Sequence, residues 1–221
     1  MEISYSALFN TPIKFGDNHW FVNERIIEEV FVHSQVPLDA EGQRLLDFGC
    51  TRSNLALQLA SLGYEVIGVD LRQYPFAHPH FTFHQTNITE FDDAEGFDII
   101  TSVSTIEHVG LGAYGEERDT STLEATTRKL TDLLKPGGRL IATVPFGQQY
   151  EDEFLRSLNY VDVIQLFGDL DLTAERFYAR QDFKYWRPVD LRQARSISNA
   201  PEDRGPTGVN CVGCFVWSKP E

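Results

Sequence analysis

Residues 44–70 form the stretch that most constrains how this chain can fold. The short apolar run of Leu45, Leu46 and Phe48 is typical of a buried strand in a parallel sheet. Gly49 ends the run, since glycine tolerates backbone angles that other residues resist. Leucines recur at helical spacing over residues 55–62, and a second apolar run over residues 65–69 predicts another strand. This order predicts two parallel strands joined by a right-handed helical crossover.

Two acidic residues stand at the carboxyl ends of these predicted strands. Asp47 lies at the end of the first strand and Asp70 at the end of the second. In open α/β sheets, ligands bind outside the carboxyl ends of the strands, and a carboxylate at the second of these ends can accept hydrogen bonds from the hydroxyls of a ribose. Asp70 therefore predicts a nucleoside-containing ligand, although an aspartate in that place can also simply begin a turn.

The turn between the first strand and the helix narrows the choice of cofactor. Dinucleotides need a G-x-G-x-x-G turn, in which backbone amides approach a pyrophosphate. Residues 49–53 read GCTRS, and the next glycine is Gly63. The single glycine disfavours NAD and FAD. S-adenosylmethionine has a ribose and an adenine but no phosphate, so it is compatible with this turn.

Several segments resemble the Rossmann-fold (class I) superfamily of S-adenosylmethionine-dependent methyltransferases. The resemblance covers about residues 44–146 and lies in LLDFGCTRS, GYEVIGVD, FDIITSVSTIEHVGLGAYG and LLKPGGRLIATVPFG. LRQYPFAHPHF, together with STIEHVGLGAYG, resembles a bacterial subgroup of small-molecule or glycan type. The chain departs from the superfamily at Thr51 and Ser53, where glycine is usual. The resemblance implies an α/β fold with a doubly wound, mostly parallel seven-stranded sheet, an antiparallel last strand and helices on both faces.

The chain is expected to form a single methyltransferase domain over residues 1–221. Within it, we expect an N-terminal helical lid or cap over residues 1–40 and a cofactor-binding core over residues 44–146. Residues 147–221 would form a substrate-facing part with the final strands. The alternation of predicted strands and helices as far as the end of the core independently predicts a parallel sheet covered by helices.

Two patterns outside the core predict further elements. Residues 24–31 predict a helix whose core-facing positions are Ile26, Ile27 and Val30. In the last quarter of the chain, DLTAERFYAR is a candidate for a sixth strand and DFKYWRPVD for a segment that faces the substrate.

The resemblance assigns cofactor contacts to eight residues. Asp47 would help to hold the amino-acid end of the cofactor, and Asp70 would bind the ribose. Asn87 and Ile88 would contact the adenine, although an asparagine can equally begin a turn. Ser104 would lie beneath the methionine end. The full set of expected cofactor-binding residues is Asp47, Gly49, Cys50, Asp70, Leu71, Asn87, Ile88 and Ser104.

Candidate catalytic residues follow the predicted fourth strand, which covers residues 97–103. In methyltransferases of the resembled fold, this segment faces both cofactor and acceptor. His108 would then remove a proton from an acceptor hydroxyl, and an imidazole with a pKa near 6.5 suits that task. Glu107 would orient the imidazole or bind part of the cofactor. The alternative is that Glu107 and His108 form a structural pair that fixes the loop.

Three further residues are candidates for contact with the acceptor. Tyr114 lies in the glycine-rich loop GLGAYG and can stack on a sugar or an aromatic ring. Trp186 and Arg187 can form a wall of the acceptor pocket. For all three, packing within the protein is the alternative.

The charge balance bears on the kind of partner. The chain has 19 basic and 33 acidic residues, a formal net charge of −14. Because nucleic-acid binding draws on Lys and Arg that neutralise phosphates, we expect no nucleic-acid partner but a small-molecule or carbohydrate acceptor. The sequence contains no apolar run of bilayer-spanning length and no positively charged leader before an apolar stretch. We therefore expect no membrane contact and a cytoplasmic location.

Cysteine spacing raises the question of a metal. The pair Cys211 and Cys214 in CVGC has the spacing of two zinc ligands, and the third cysteine is Cys50. However, the segment reads as a strand, in which residues three apart point to opposite faces. A second pair that would complete four ligands is missing from the sequence. We therefore expect reduced thiols and no metal site.

The sequence thus predicts an S-adenosylmethionine-dependent methyltransferase that forms S-adenosylhomocysteine, with O-methylation of a small-molecule or sugar hydroxyl as the preferred reaction. Two other classes stay open at this point. One is a catalytically inactive module that binds S-adenosylmethionine or S-adenosylhomocysteine. The other is a nicotinamide-dependent oxidoreductase, which the single-glycine turn disfavours.

Overall fold

The structure is a computed structural model. It describes residues 13–15, 18–20, 23–51, 53–116, 118–119, 121–181, 185–204 and 208–221, with the backbone alone for the first two ranges. Much of the predicted lid over residues 1–40 therefore lies outside the described residues.

The described elements alternate between strands and α-helices from the first α-helix to the strand Glu65–Asp70, and short 3₁₀ helices follow the next two strands. The strands are β1 (Ile13–Phe15), β2 (Asn18–Trp20), β3 (Arg44–Phe48), β4 (Glu65–Asp70), β5 (Phe81–Gln85), β6 (Phe97–Val103), β7 (Leu134–Pro145), β8 (Tyr150–Glu151), β9 (Arg156–Ser157), β10 (Asp171–Gln181), β11 (Tyr185–Val189) and β12 (Cys211–Ser218). The α-helices are α1 (Arg25–Gln35), α2 (Leu55–Ser61), α3 (Ser121–Leu133), α4 (Tyr160–Leu166) and α5 (Leu191–Arg195). Two short 3₁₀ helices cover Ile88–Glu90 and Ile106–His108.

The main sheet confirms the predicted fold class. Its strand order is β11-β10-β12-β7-β6-β3-β4-β5. The strands from β5 to β7 in this order are parallel, and β12 joins β7 in the antiparallel direction, as expected for the last strand. The sheet has eight strands where we expected seven. The additional strand arises because residues 171–189 fold into the antiparallel hairpin of β10 and β11.

Helices cover both faces of the sheet, because successive strand residues point to opposite sides. On one face, Leu46 of β3 packs with buried residues of α3, α4 and α5. On the other face, Leu45 packs with buried residues of α1 and α2. The cysteines of β12 follow the same rule, since Cys211 packs on the first face and Cys214 on the second. The two thiols therefore point away from each other, and both are buried.

Helix α1 buries a different face from the one that the sequence pattern predicted. Ile26 and Val30 are exposed, with 47% and 66% of their surface accessible. The buried positions are Glu28, Phe31 and Val32. The expectation was wrong because it assumed that the apolar residues of the helix point toward the sheet. The stripe of side chains that packs on the sheet instead begins with the carboxyl group of Glu28. This carboxyl group lies beside the site described below.

The lengths and compositions of the helices bear on membrane insertion. Within the ranges given above, no helix is long and apolar enough to cross a bilayer.

Candidate functional site

A cavity opens at the carboxyl ends of β3, β4, β5 and β6, where the loops that follow these strands meet. It encloses about 1270 Å³, more than the roughly 300–1,000 Å³ of a typical small-ligand pocket, so it has the volume for a cofactor and an acceptor together. Open α/β sheets bind ligands at this edge. The predicted site residues on the cavity wall are Gly49, Asp70, Leu71, Asn87, Ile88, Ser104, Glu107, His108 and Tyr114.

The turn after β3 depends on Gly49. Its φ is +79°, and a Cβ atom at this position would collide with the side chain of Thr105, so only glycine fits. The Gly49 amide donates a hydrogen bond to the carbonyl of Val69 at 2.8 Å, which ties the turn to β4. Cys50, the next residue, is 1% exposed in the core, and burial raises the pKa of its thiol. Its contribution to the cavity is therefore limited to its backbone.

Asp70 lies at the end of β4 with both carboxylate oxygens engaged. Oδ2 accepts a hydrogen bond from the Thr51 amide at 2.9 Å and lies 3.3 Å from Nη2 of Arg72. Oδ1 accepts bonds from the Arg72 amide at 2.9 Å and from its Nε at 3.2 Å. Burial by itself would raise the pKa of Asp70, but the hydrogen bonds from Arg72 and Thr51 outweigh it, so the pKa is lowered. The carboxylate is ionised, and a ribose would have to replace the Arg72 guanidinium on it.

The hydroxyl groups that replace the usual glycines are both tied to the protein. Ser53 Oγ donates to Oε1 of Glu29 at 2.8 Å and accepts from the Leu55 amide at 3.0 Å, at the start of α2. Thr51 Oγ1 lies 3.5 Å from the carbonyl oxygen of Arg72. These bonds fix the rotamers of the two side chains at the base of the turn.

Asn87 and Ile88 follow β5 on the far side of the cavity. Ile88 is 2% exposed. The Asn87 Oδ1 atom caps the 3₁₀ helix, accepting bonds from the amide of Thr89 at 3.1 Å and from its hydroxyl at 3.0 Å. Since a carbonyl oxygen has two lone pairs, an adenine amine would compete with Thr89 for this atom. Adenine recognition by Asn87 therefore stays a prediction. Leu71, which is 42% exposed, adds an apolar surface to the cavity wall near Asp70.

Asp47 is buried beneath the turn. Its backbone pairs with Gly68 on one side and Thr101 on the other, and it is 2% exposed. Oδ1 accepts a hydrogen bond from the Thr101 hydroxyl at 2.8 Å, and Oδ2 has no partner among the described residues. Burial raises the pKa of Asp47 to about 6, although the bond from Thr101 opposes the rise. An unpartnered buried carboxyl oxygen is costly unless a ligand, water or proton satisfies it.

Ser104 follows β6 in a strained conformation. Its φ is +45°, which a serine rarely adopts, and such strain concentrates at functional sites. The Ser104 amide donates to the carbonyl of Thr143 at 3.2 Å, and its hydroxyl donates to Oε1 of Glu28 at 2.6 Å. Glu28 is fully buried, and its burial together with the charge of Glu24 raises its pKa to about 7. The loop after β6 is thus anchored to α1 through a carboxyl group.

His108 stands on the cavity wall among aromatic rings. Its Nδ1 lies 2.5 Å from the carbonyl oxygen of Phe154, which can only accept, so Nδ1 carries the proton. The ring centroids of Phe154 and Tyr114 lie 4.6 and 5.5 Å from that of His108. Burial lowers the pKa of His108, and the charges of Arg72 and Arg25 act in the same direction. The ring is therefore neutral at neutral pH, with its lone pair on Nε2.

Glu107 is 1% exposed, and it does not orient the imidazole of His108 as expected. Its Oε1 lies 3.9 Å from His108 Nε2, beyond hydrogen-bond distance, and burial raises its pKa well above the usual value. The group that orients the imidazole is instead the Phe154 carbonyl. Glu107 Oε2 has no hydrogen-bond partner in the described part of the chain.

Trp186 and Arg187 lie away from these residues. Both belong to β11, the outer edge strand, four positions from β6 in the strand order. Trp186 packs against the core and lies beneath the guanidinium of Arg180 at 5.7 Å, while Arg187 lies 6.0 Å from the ring of Tyr185. The residues described along the cavity wall do not include them. For Trp186 the geometry favours the packing alternative, whereas Arg187 is exposed beside Tyr185.

Several residues of the site were missed by the sequence analysis. Arg72 both bonds Asp70 and lies 4.4 Å from the Tyr114 ring, so it connects the two predicted subsites. Glu28 lies three residues before the buried Phe31 on the same helical stripe, but its burial follows from the packing of α1 on the sheet. Phe154 carried no signal in the sequence, because its carbonyl reaches His108 through the fold alone.

Comparison with known proteins agrees with this geometry. The family model described as "Methyltransferase domain" matches residues 21–198, about four fifths of the chain. A ubiquinone biosynthesis O-methyltransferase of Cereibacter sphaeroides is 34% identical over 133 residues, which is 56% of this chain and 49% of that protein. A protein of the same name from Bradyrhizobium diazoefficiens is 30% identical over 112 residues, 46% of this chain and 40% of that protein. The chain thus spans about half the length of the curated relatives it matches, or less.

Solved structures share the fold at low sequence identity. A Burkholderia thailandensis 1,6-didemethyltoxoflavin-N1-methyltransferase with bound S-adenosylhomocysteine has a TM-score of 0.59 and 14% identity, covering 88% of this chain and 77% of that one. Magnesium protoporphyrin IX methyltransferase of Synechocystis with bound S-adenosylmethionine has a TM-score of 0.55 and 13% identity, over 88% and 77% of the two chains. The likeness to these structures shows that the chain shares their fold. The chain belongs to the methyltransferase-domain family.

Proposed function

We propose that this enzyme methylates a hydroxyl group of a small-molecule acceptor, with His108 as the general base. The observation that carries the proposal is the state of the imidazole. The Phe154 carbonyl holds the proton on Nδ1, and the lowered pKa keeps the ring neutral, so Nε2 can accept a proton at neutral pH. The names of the curated relatives, which are O-methyltransferases, support a hydroxyl acceptor.

The residues at the strand ends fit the cofactor. Gly49 lies on the cavity wall, and the tight turn that it permits at positive φ brings the backbone of this turn to the cavity. Asp70 offers an ionised carboxylate for the ribose, and below the turn Asp47 has a buried oxygen with no partner among the residues that the structure describes. We propose that these residues hold S-adenosylmethionine, with Leu71, Asn87 and Ile88 on the adenosine side and Ser104 at the methionine end. When bound, the cofactor supplies a methyl group that the positive sulfonium charge has already activated.

The protein's own contribution to the reaction is orientation and proton transfer. The rings of His108, Tyr114 and Phe154 form one aromatic wall, and flat apolar surfaces of this kind suit an aromatic ring or a sugar face. An acceptor placed on this wall has its hydroxyl within reach of Nε2. His108 then takes the hydroxyl proton as the oxygen is methylated, which avoids a positively charged ether product.

The proposed lid and the substrate-facing part are supported by the composition of the cavity wall. Asn23 and Glu24 come from the N-terminal segment, while Phe154, Leu155 and Arg204 come from the last third of the chain. We propose that the described residues 23–40 of the expected lid, together with the described residues of 147–221, enclose the acceptor over the cofactor-binding core. Protection of these segments from proteolysis by S-adenosylhomocysteine would support this arrangement, and unchanged cleavage would contradict it.

The test of the base is the substitution His108→Gln. Acceptors are catechol for an aromatic hydroxyl, methyl glucoside for a sugar hydroxyl and aniline for an amine, with S-adenosylhomocysteine formation as the readout. Loss of a general base lowers the turnover number by about 100- to 10,000-fold. Turnover of the wild-type enzyme should also fall as the pH drops below the lowered pKa of His108, because the protonated ring cannot accept a proton.

The matched control is His80→Gln, since His80 is an exposed histidine in the loop before β5. This variant is expected to keep wild-type turnover. Nitrogen NMR of the labelled protein tests the base without any acceptor, and should show a neutral imidazole with Nε2 unprotonated. Full activity of His108→Gln, a charged imidazole at neutral pH, or turnover of aniline alone would contradict the proposal.

A further inference from the structure

Two buried carboxyl groups, Glu107 on the cavity wall and Glu28 behind the wall residue Ser104, each leave one oxygen atom without a hydrogen-bond partner among the described residues. Glu28 is 0% exposed and Glu107 is 1% exposed. In each, Oε2 is the unpartnered atom. Glu107 lies on the cavity wall itself. Buried carboxyl groups are expensive unless they are paired, so unpartnered oxygens beside a ligand cavity point to a partner that the ligand brings.

The position of the pair identifies which end of the ligand it faces. Glu28 accepts the hydroxyl bond of Ser104, the residue expected beneath the methionine end of the cofactor. Glu107 lies three residues further along the same loop, with its Oε1 3.9 Å from His108 Nε2. The pair therefore lies between the predicted methionine end and the candidate base, where the methyl group is transferred.

The charges around the pair are mostly negative. Glu28 is faced by Glu24 and Arg25 from the start of α1, Ser104 after β6, Thr143 of β7, Cys214 of β12 and Glu107. Glu107 is faced by Glu24, Arg25, Glu28 and His108. Arg25 is the cation on these lists, and it also faces Asp47 while its Nη1 lies 3.5 Å from the carbonyl of Val103. One guanidinium shared among several carboxyl groups would leave a deficit of positive charge if all of these groups were ionised.

The cofactor and its product differ in the charge that would fill this deficit. S-adenosylmethionine carries a sulfonium, an ammonium and a carboxylate, a net charge of about +1. S-adenosylhomocysteine has lost the sulfonium charge and is neutral overall. We propose that Glu28 and Glu107 form a cation receptor that discriminates S-adenosylmethionine from S-adenosylhomocysteine, releasing a proton to solvent when the charged cofactor binds and taking one up when the sulfonium charge disappears.

The energetic reason lies in the state of the empty receptor. Burial favours the neutral form of both carboxyl groups, with a pKa of about 7 for Glu28 and a raised pKa for Glu107. A nearby positive charge favours the ionised form. Binding of the charged cofactor therefore releases a proton from the pair of carboxyl groups. Methyl transfer removes the sulfonium charge, so the ionised form is no longer favoured. Product binding is weakened relative to cofactor binding, which favours exchange of S-adenosylhomocysteine for S-adenosylmethionine.

The experiment is calorimetric titration of the full chain with S-adenosylmethionine and with S-adenosylhomocysteine, in two buffers of different ionisation enthalpy near pH 7. The wild-type protein is expected to release up to about one proton with S-adenosylmethionine and fewer with S-adenosylhomocysteine. The ratio of the two affinities should then rise with pH below the receptor pKa, by up to about tenfold per pH unit for one proton. His108 is already neutral at this pH and is not the source of the proton.

The variants Glu28→Gln and Glu107→Gln keep the shape of the neutral carboxyl group and remove its proton. Each is expected to reduce the proton release and to weaken S-adenosylmethionine more than S-adenosylhomocysteine. Glu41→Gln is the control, because Glu41 is exposed in the turn before β3, at the opposite end of the strand from the cavity. It should leave both affinities and the proton count unchanged.

The wild-type proton count decides the question even if a variant fails to fold. Equal proton release for the two ligands would contradict the proposed receptor. Unchanged proton release in both folded variants would also contradict it, because the proton would then come from another group. The inference uses cofactor binding and no acceptor. It can therefore fail while methylation of a hydroxyl through His108 holds, and the reverse is equally possible.

Discussion

Asp70→Asn tests the ribose subsite, and the structure allows the size of its effect to be worked out. A hydrogen bond to a charged group contributes about 1.5–3 kcal/mol, so two ribose hydroxyls on the carboxylate would gain about 3–6 kcal/mol. The Arg72 guanidinium must leave first. Its side chain is 31% exposed, so its ion pair with Asp70 is worth about 0–1 kcal/mol. The carboxylate then contributes about 2–6 kcal/mol net to cofactor binding.

Asparagine keeps one acceptor oxygen, so the substitution should remove about half of that amount. We expect a loss of about 1–3 kcal/mol, which is roughly a 5- to 150-fold rise in the dissociation constant of S-adenosylhomocysteine. The assay is calorimetric titration, with circular dichroism to show that the fold is intact. Asp92→Asn is the control, since the Asp92 side chain is 92% exposed and forms an ion pair with Lys129.

Arg72→Ala separates the two groups that meet at this subsite. If the guanidinium only occupies the carboxylate in the absence of a ribose, its removal should leave the affinity unchanged or improve it by up to about fivefold. The reasoning is refuted if Asp70→Asn binds S-adenosylhomocysteine as tightly as the wild type. It is also refuted if Arg72→Ala loses as much affinity as Asp70→Asn, because the arginine would then be the binding group.

Three predictions concern stability. Asp93, whose pKa is lowered to about 2 chiefly by the hydrogen bond from Arg44, stabilises the fold above pH about 4 and loses this effect as the pH falls toward 2. Asp93→Asn should therefore cost about 1–2 kcal/mol at neutral pH in urea denaturation and approach zero cost in acid; a constant difference would contradict this. Glu28, with a folded pKa of about 7, destabilises the ligand-free fold progressively as the pH rises from about 4.5 to 7. Glu28→Gln should thus gain stability relative to the wild type across that window, and a loss at its upper end would argue against a neutral buried carboxyl group. Gly49→Ala should lower the melting temperature more than Gly42→Ala, because both glycines have positive φ but only Gly49 lacks space for a Cβ atom; equal effects would exclude the steric reason.

The strand–helix–strand unit was predictable because its signals are local. Apolar runs define β3 and β4, Gly49 ends the first, and leucines at helical spacing define α2. The rule that ligands lie at the carboxyl ends of parallel strands then places Asp70 and His108 on one cavity without any further information.

The features that escaped prediction depend on long-range packing. Glu28 is an ordinary surface residue by type, and only the packing of α1 against β6, β7 and β12 makes it a buried carboxyl group. Trp186 resembles a pocket residue by type, yet the hairpin of β10 and β11 carries it to the outer edge of the sheet. The Phe154 carbonyl joins His108 across 46 residues of chain, a contact that no local pattern encodes.

We propose that the cavity at the strand ends binds S-adenosylmethionine for methyl transfer. Calorimetric titration of the purified protein with S-adenosylmethionine, S-adenosylhomocysteine and NAD tests this proposal directly. We expect saturable binding of both sulfur compounds with one site per chain, competition between them, and no heat of binding with NAD. Binding of NAD, or failure of both sulfur compounds to bind, would contradict it.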